Sequence, residues 1–262
     1  MTGNARWQTI SFESANGIAR LTLNRPEQMN AMTNRMVREV TECLTEVATH
    51  TSERVLVLTG AGRGFCPGAD LKHFAAGGAD EELGPSDFRT PLLLHRMPQV
   101  TIAAINGMCA GAGLGWACAA DLRVAARSAN FNTAFLNVAS AGDMAGPWTL
   151  PRLVGAAKAR ELYLLPEKFS AEAALAIGLV SRVFTDADFH DEVNAIAEQL
   201  AAASPHALRT MKRNFVDAEQ MDLESYLQVE SERHLQVMAH DDAKEAFRAF
   251  VEKRAPRFGA HG

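Results

Sequence analysis

The chain has 262 residues, 47% of them apolar, and a formal net charge of −5. That apolar share is enough for one large core with a helical extension, and the acidic balance argues against a general nucleic-acid binder, whose footprint is a basic face. Cys43, Cys66, Cys109 and Cys118 form no Cys-x-x-Cys pair and have no histidine at zinc-like spacing, so no metal site is expected and free thiols of a reducing, cytoplasmic compartment are.

The first nine residues include polar and charged ones and no apolar run, so no signal peptide is expected. Trp7–Glu13 and Ile18–Leu23 flank Ser14-Ala15-Asn16-Gly17 as a hairpin would. Met36, Val40, Leu44 and Val47 fall at helical spacing. Val55–Thr59 is a short β-branched strand closed by a glycine-rich turn, and the spacing predicts a helix over Ser86–Arg96, stopped by Pro98. Val100–Ile105 and Leu122–Ala125 read as further buried strands. The apolar stretch Val100–Cys118 is broken by Asn106 and several glycines, so it predicts strand, turn and helix rather than a membrane span. Strands separated by helices predict an α/β fold with a mostly parallel core. From Ser170 the pattern is helical: Ala171–Ile177, Asp186–Ala203, Pro205–Glu219, Leu223–Met238 and Asp241–Lys253. A core over residues 1–200 and a helical region over 201–262 are expected. Leu223, Tyr226, Leu227 and Leu235 suit either a partner subunit or the interior of the monomer.

Two segments after strands are dense in small residues, Gly64–Leu71 and Asn106–Gly115. Small residues let backbone N–H groups face a ligand, and the second segment opens onto a helix expected over Trp116–Ala120, where the first donors lack partners and the dipole favours negative charge. Two such donors converging from separate loops would form an oxyanion hole. Spacing alone leaves tight turns packed on a sheet equally open. Gly111-x-Gly113-x-Gly115 is not the dinucleotide fingerprint, and no Gly-Lys-Ser/Thr follows.

Several runs, in order, resemble the enoyl-CoA hydratase/isomerase (crotonase) family from about residue 6 to 258. They are Asn24-Arg25-Pro26 with Met29-Asn30-Ala31-Met32; Leu58-Thr59-Gly60 with Phe65–Leu71; Ala103–Gly107 with Gly111–Gly115; Ala176-x-Gly178-Leu179-Val180; and Ala249–Arg254. The resemblance implies stacked β-β-α turns, assembly into trimers or hexamers through the helical region, and an acyl-CoA thioester substrate. Coenzyme A would enter with that substrate, and no prosthetic group, nucleic acid or membrane is implied. It also implies that the N–H groups of Ala69 and Ala112 hold the thioester oxygen. Ala31, Pro67, Asp70 and Leu71 match positions beside coenzyme A, with Arg25 and Lys72 lesser candidates. Phe250 and Lys253 match positions that contact its nucleotide, often from a neighbouring subunit, where Lys253 would meet phosphate as a point charge.

The sequence departs from the family's hydratases at the point that defines them. Their two glutamates match Gly115 and Phe135 here, and neither residue can titrate. Asp143 instead lies in Ser140–Trp148, a segment resembling the one in which the family's isomerases and aryl-CoA dehalogenases carry a single aspartate. Among Phe131, Phe135, Met144 and Trp148 desolvation is expected to raise its pKa. Isomerisation with Asp143 as base is the favoured expectation. The alternatives are hydration of an unusual enoyl-CoA, with the water activated by Asp143 or by Glu81 or Glu82 from an Ala75–Asp87 lid, and a CoA-ester-binding protein without catalysis. Dehalogenation is disfavoured because Phe88 and Phe135 replace the helping histidine and tryptophan. His73 and His95 are read as surface and helix-end residues, and Asp70 as a holder of its loop.

Overall fold

The computed structural model describes residues 6–77 and 82–258. Strands β1 (Ile10–Ala15) and β2 (Ile18–Leu23) form the expected hairpin. Asn16 and Gly17 both take positive φ (53° and 79°), as a tight two-residue hairpin turn requires. Thr33 caps helix α1 (Asn34–Val47) by accepting the Met36 amide at 3.2 Å, and the helix buries Met36, Val40, Leu44 and Val47.

The main sheet runs β1-β2-β3-β5-β7-β10, with β3 (Val55–Gly60), β5 (Val100–Ile105), β7 (Leu122–Ala126) and β10 (Arg182–Phe184); every pairing after the hairpin is parallel. Leu56 and Leu58 enter the core shared with α1, while Val55 and Val57 pack against α8 (Phe189–Ala201). Burial on both faces explains why β3 is a continuous apolar run.

A second, smaller sheet, not foreseen from the pattern, joins β4 (Gly64–Cys66), β6 (Met108–Ala110), β8 (Asn130–Asn132) and β9 (Phe169–Ser170). Two buried or half-buried asparagines hold the turn that feeds it. Asn30 donates to the carbonyls of Ala61 (2.9 Å) and Gly64 (2.7 Å), and Asn106 to those of Gly60 and Gly62 (both 2.9 Å). Each replaces backbone partners the irregular chain lacks.

Short helix α2 (Leu71–Ala75) follows β4. The helix predicted over Ser86–Arg96 divides into a 3-10 turn, Pro85–Arg89, and α3 (Thr90–Arg96); Phe88 leaves helical geometry, and Pro91, lacking an N–H, starts a new helix in its first turn. Helix α4 (Ala112–Ala119) begins four residues before its predicted start and is buried throughout. Helices α5 (Gly146–Val154), α6 (Ala156–Leu164) and α7 (Ala171–Ala176) complete the core.

Of the last three helices, α9 (Pro205–Ala218) is tied to the core by Lys212, 5% exposed. Its Nζ donates to the carbonyls of Leu94 (2.9 Å) and Gln99 (2.8 Å) and pairs with Asp121 at 2.7 Å. Lys212→Met is expected to cost about 2 kcal/mol, read as a lower denaturant midpoint, because two buried carbonyls lose a charged donor. An unchanged midpoint would show that the contact contributes nothing. Helices α10 (Leu223–Ala239) and α11 (Asp241–Glu252) pack on one another, and Leu223, Leu227 and Leu235 are exposed in the single chain. No described helix is long and apolar enough to cross a membrane.

Candidate active site

The two glycine-rich segments meet through the small sheet. β4 pairs with β6 in parallel, and each strand ends where its segment turns. The turns interlock at backbone distance. A β-carbon built on Gly68 (φ +97°) would lie 3.4 Å from the Ala112 nitrogen, and one on Gly113 would lie 2.3 Å from the Cys66 carbonyl oxygen. Only glycine permits that approach at residue 113.

Ala69 forms an isolated parallel bridge with Met32. Met32 donates to Gly68 and accepts from Asp70, both at 2.8 Å, so the Ala69 N–H points away from Met32. Ala112 is the first residue of α4, where an N–H has no acceptor within its helix. Among the described residues neither amide has a hydrogen-bond acceptor. The structure therefore brings together the segments of Ala69 and Ala112 and leaves both donors open.

Asp143 sits in a strained turn. Ala139, Met144 and Ala145 all take φ between 45° and 56° without being glycine. Such left-handed residues cost on the order of 1 kcal/mol each, and they persist where packing over-determines them. The Asp143 amide segment closes by a 3.0 Å bond from the Gly146 N–H to the Asp143 carbonyl. Its Oδ1 is buried without a partner, and desolvation raises the carboxyl pKa to about 6. The carboxyl reaches the small sheet electrostatically. Burial pushes the Cys66 thiol up to about 12, and the charge of Asp143 adds to that rise. Burial likewise pushes Cys118 up to about 11 and Cys109 well above its ordinary value, so these thiols stay protonated.

Met144 is adjacent to Asp143 and buried, and Phe135 stacks on Tyr163 with ring centroids 5.9 Å apart and planes at 10°. Phe131 stacks on Phe169, and Trp148 lies edge-on to His95 with Arg152 over its face at 3.7 Å. Tyr163 was not singled out by the sequence; inside a helical run nothing distinguishes it. The two residues matched to the family's glutamates are both filled by packing. A β-carbon on Gly115 would lie 2.8 Å from the Met144 β-carbon and carbonyl oxygen, so the Asp143 turn occupies that space.

Arg25 pairs with Asp70 at 2.8 Å and also donates to the Ala31 carbonyl. Asp70 caps α2 by accepting the His73 amide at 3.1 Å. Burial opposes ionisation of Asp70, but the bonds from His73 and Arg25 outweigh it and hold the carboxyl below its usual range. Arg25 thus has its charge matched inside the protein, and with Asp70 and Ala31 it braces the first loop. Leu71 is half-exposed beside it, and Pro67 is partly exposed. His95 bonds Glu219 at 2.9 Å at the end of α3. Phe250 is 86% exposed on α11 and Lys253 closes that helix with φ 52°. Glu82 is exposed; Glu81 and the centre of the expected lid lie outside the described residues.

The enoyl-CoA hydratase/isomerase family model matches residues 13–261. The chain belongs to the enoyl-CoA hydratase/isomerase family. It is 38% identical to the 1,2-epoxyphenylacetyl-CoA isomerase of Escherichia coli, over 92% of this chain and 95% of that protein. It is 37% identical to the (E)-benzylidenesuccinyl-CoA hydratase of Thauera aromatica, over 95% and 98% respectively. The crystal structure of an enoyl-CoA hydratase from Bacillus anthracis superposes with a TM-score of 0.88 at 33% identity, covering 96% of this chain and 99% of that one. The fold is the crotonase fold of this family, with its C-terminal helices, and the protein is an acyl-CoA enzyme.

Proposed function

We propose that the enzyme shifts the double bond of an enoyl-CoA by proton transfer, with Asp143 as its single base. The observation that carries this reading is the buried, unpartnered Oδ1 of Asp143 in a strained turn, with a carboxyl titrating at about 6. At neutral pH such a carboxylate is ionised yet poorly solvated, which suits a base that takes a proton and gives it back.

In this reading the N–H groups of Ala69 and Ala112 donate hydrogen bonds to the thioester oxygen. Asp143 removes a proton from the α carbon, and the electrons move onto that oxygen to form a dienolate. The same carboxyl then delivers its proton to the γ carbon, the thioester carbonyl re-forms, and the double bond ends in conjugation. No atom is gained or lost. Hydration needs a second group to manage water, and Met144 and Phe135 fill the two places where such a group would stand. Pro67, Asp70 and Leu71 on the first loop, and Ala31 before α1, would border coenzyme A. Phe250 and Lys253, exposed on α11, would serve the nucleotide of a neighbouring subunit in a trimer or dimer of trimers.

The test is to incubate crotonyl-CoA and a 3-enoyl-CoA separately and weigh the products. The expected result is conversion of the 3-enoyl-CoA to its conjugated isomer at unchanged mass in ordinary water, with deuterium entering when the solvent is heavy water. Rapid gain of one water by crotonyl-CoA, with the 3-enoyl ester untouched, would replace isomerisation by hydration.

A further inference from the structure

Asp143 stands in the turn Gly142–Gly146, where two non-glycine residues, Met144 and Ala145, adopt left-handed geometry and one local hydrogen bond, from the Gly146 N–H to the Asp143 carbonyl, closes the loop. What presses on that turn from below is α6. The Tyr163 ring stacks on Phe135, and its hydroxyl lies against Gly146, where an added β-carbon would stand 2.1 Å from Oη and 3.4 Å from Cζ. On the other side of Asp143, a β-carbon on Gly142 would lie 3.6 Å from the Tyr163 Cε1. The ring therefore touches both glycines that bracket the carboxylate. Its hydroxyl makes no hydrogen bond among the described residues, so it acts there by filling space. Thr133 fixes the height of the helix by donating to the Leu162 carbonyl at 2.6 Å.

We propose that Tyr163 is a positioning residue for the proton-transferring carboxylate: its ring is the floor on which Gly142–Gly146 rests, and its hydroxyl occupies the room a side chain at residue 146 would need. The inference rests on Asp143 being the base. By excluding water beneath the turn, the ring keeps the carboxyl desolvated and aimed at the joined loops. The titratable groups that feel Asp143 are Cys66 from β4 and Tyr163 from α6, and Cys118 of α4 faces Tyr163. Burial holds all three protonated and uncharged at neutral pH, so the floor contributes no charge of its own.

The experiment compares Tyr163→Ala, Tyr163→Phe, Gly146→Ala and the double variant Gly146→Ala/Tyr163→Phe in the intact enzyme, following kcat, KM and the acid limb of kcat/KM against pH. Removing the ring should admit water, lowering the acid limb by about one pH unit and kcat about tenfold while KM stays within about twofold. Tyr163→Phe keeps the floor and should stay within about twofold of the parent. Gly146→Ala should lose activity, because its methyl meets Oη at 2.1 Å, and the double variant should regain it, because the nearest ring atom is then Cζ at 3.4 Å. An acid limb that stays in place in Tyr163→Ala, or a double variant no better than Gly146→Ala alone, would overturn the proposal. Asp143→Asn, measured alongside, separates the two ideas. If it turns over normally, the proton-transfer reading has failed; if it is dead while the acid limb ignores Tyr163, only the positioning role has.

Discussion

Asp143→Asn is expected to lower kcat about a thousandfold while leaving CoA-ester affinity within a few-fold, the usual scale for deleting a general base whose neighbours remain. The binding groups are backbone amides and loop residues that the substitution does not touch. The same variant should be more stable than its parent at pH 8. The folded-state pKa of about 6 lies above the roughly 3.9 of an unfolded aspartate, so the charged form is the one the fold disfavours. For the parent, the favourable term is fully present below pH ~4 and is lost as pH rises through ~6. Partial exposure of the carboxyl reduces the effect to about 1 kcal/mol. Thermal unfolding at pH 8 and at pH 5 measures it: the advantage of the asparagine variant should shrink at the lower value. A variant that is less stable at both values would mean that the carboxylate is supported rather than strained, and a normal kcat would remove Asp143 from the mechanism.

Gly113→Ala should damage both fold and catalysis. Its methyl would meet the Cys66 carbonyl oxygen at 2.3 Å and the Cys66 β-carbon at 2.7 Å, so the two segments must separate. Overpacking of this kind costs about 2 kcal/mol. Separating the Ala69 and Ala112 amides should also lower kcat/KM about a hundredfold, the scale of losing one oxyanion donor. Denaturant unfolding and steady-state kinetics read the two effects. Ala112→Gly is the control: it keeps the N–H and should remain within a few-fold of the parent. If Gly113→Ala is destabilised yet keeps its kcat/KM, the amide pair is not where the charge develops.

Much of this was legible in the sequence. The hairpin, α1, β3 and β5 follow from periodicity and turn residues, because apolar spacing reports directly which face is buried. The family motifs mark the two small-residue segments, and the replacement of both glutamates by Gly115 and Phe135 is visible as letters. Other features depend on partners distant in the chain. The small sheet consists of strands of two or three residues, too short to show a period, which exist because β4, β6 and β8 lie side by side. Helix α4 starts at Ala112 rather than Trp116 because Gly111 turns the chain there, at φ 50°, where a run of small residues gives no boundary signal. Trp148 of α5 lies edge-on to His95 of α3, a residue distant from it in the chain. The role of Tyr163 lies in contacts with Gly142 and Gly146, some twenty residues away. By itself the sequence determined the fold family, the two loops and the surviving carboxylate, all encoded by residue type and local order. The tertiary structure alone decided how closely the loops interlock, what fills the vacated glutamate positions and what supports Asp143, because close packing is a property of residues that meet only after the chain has folded.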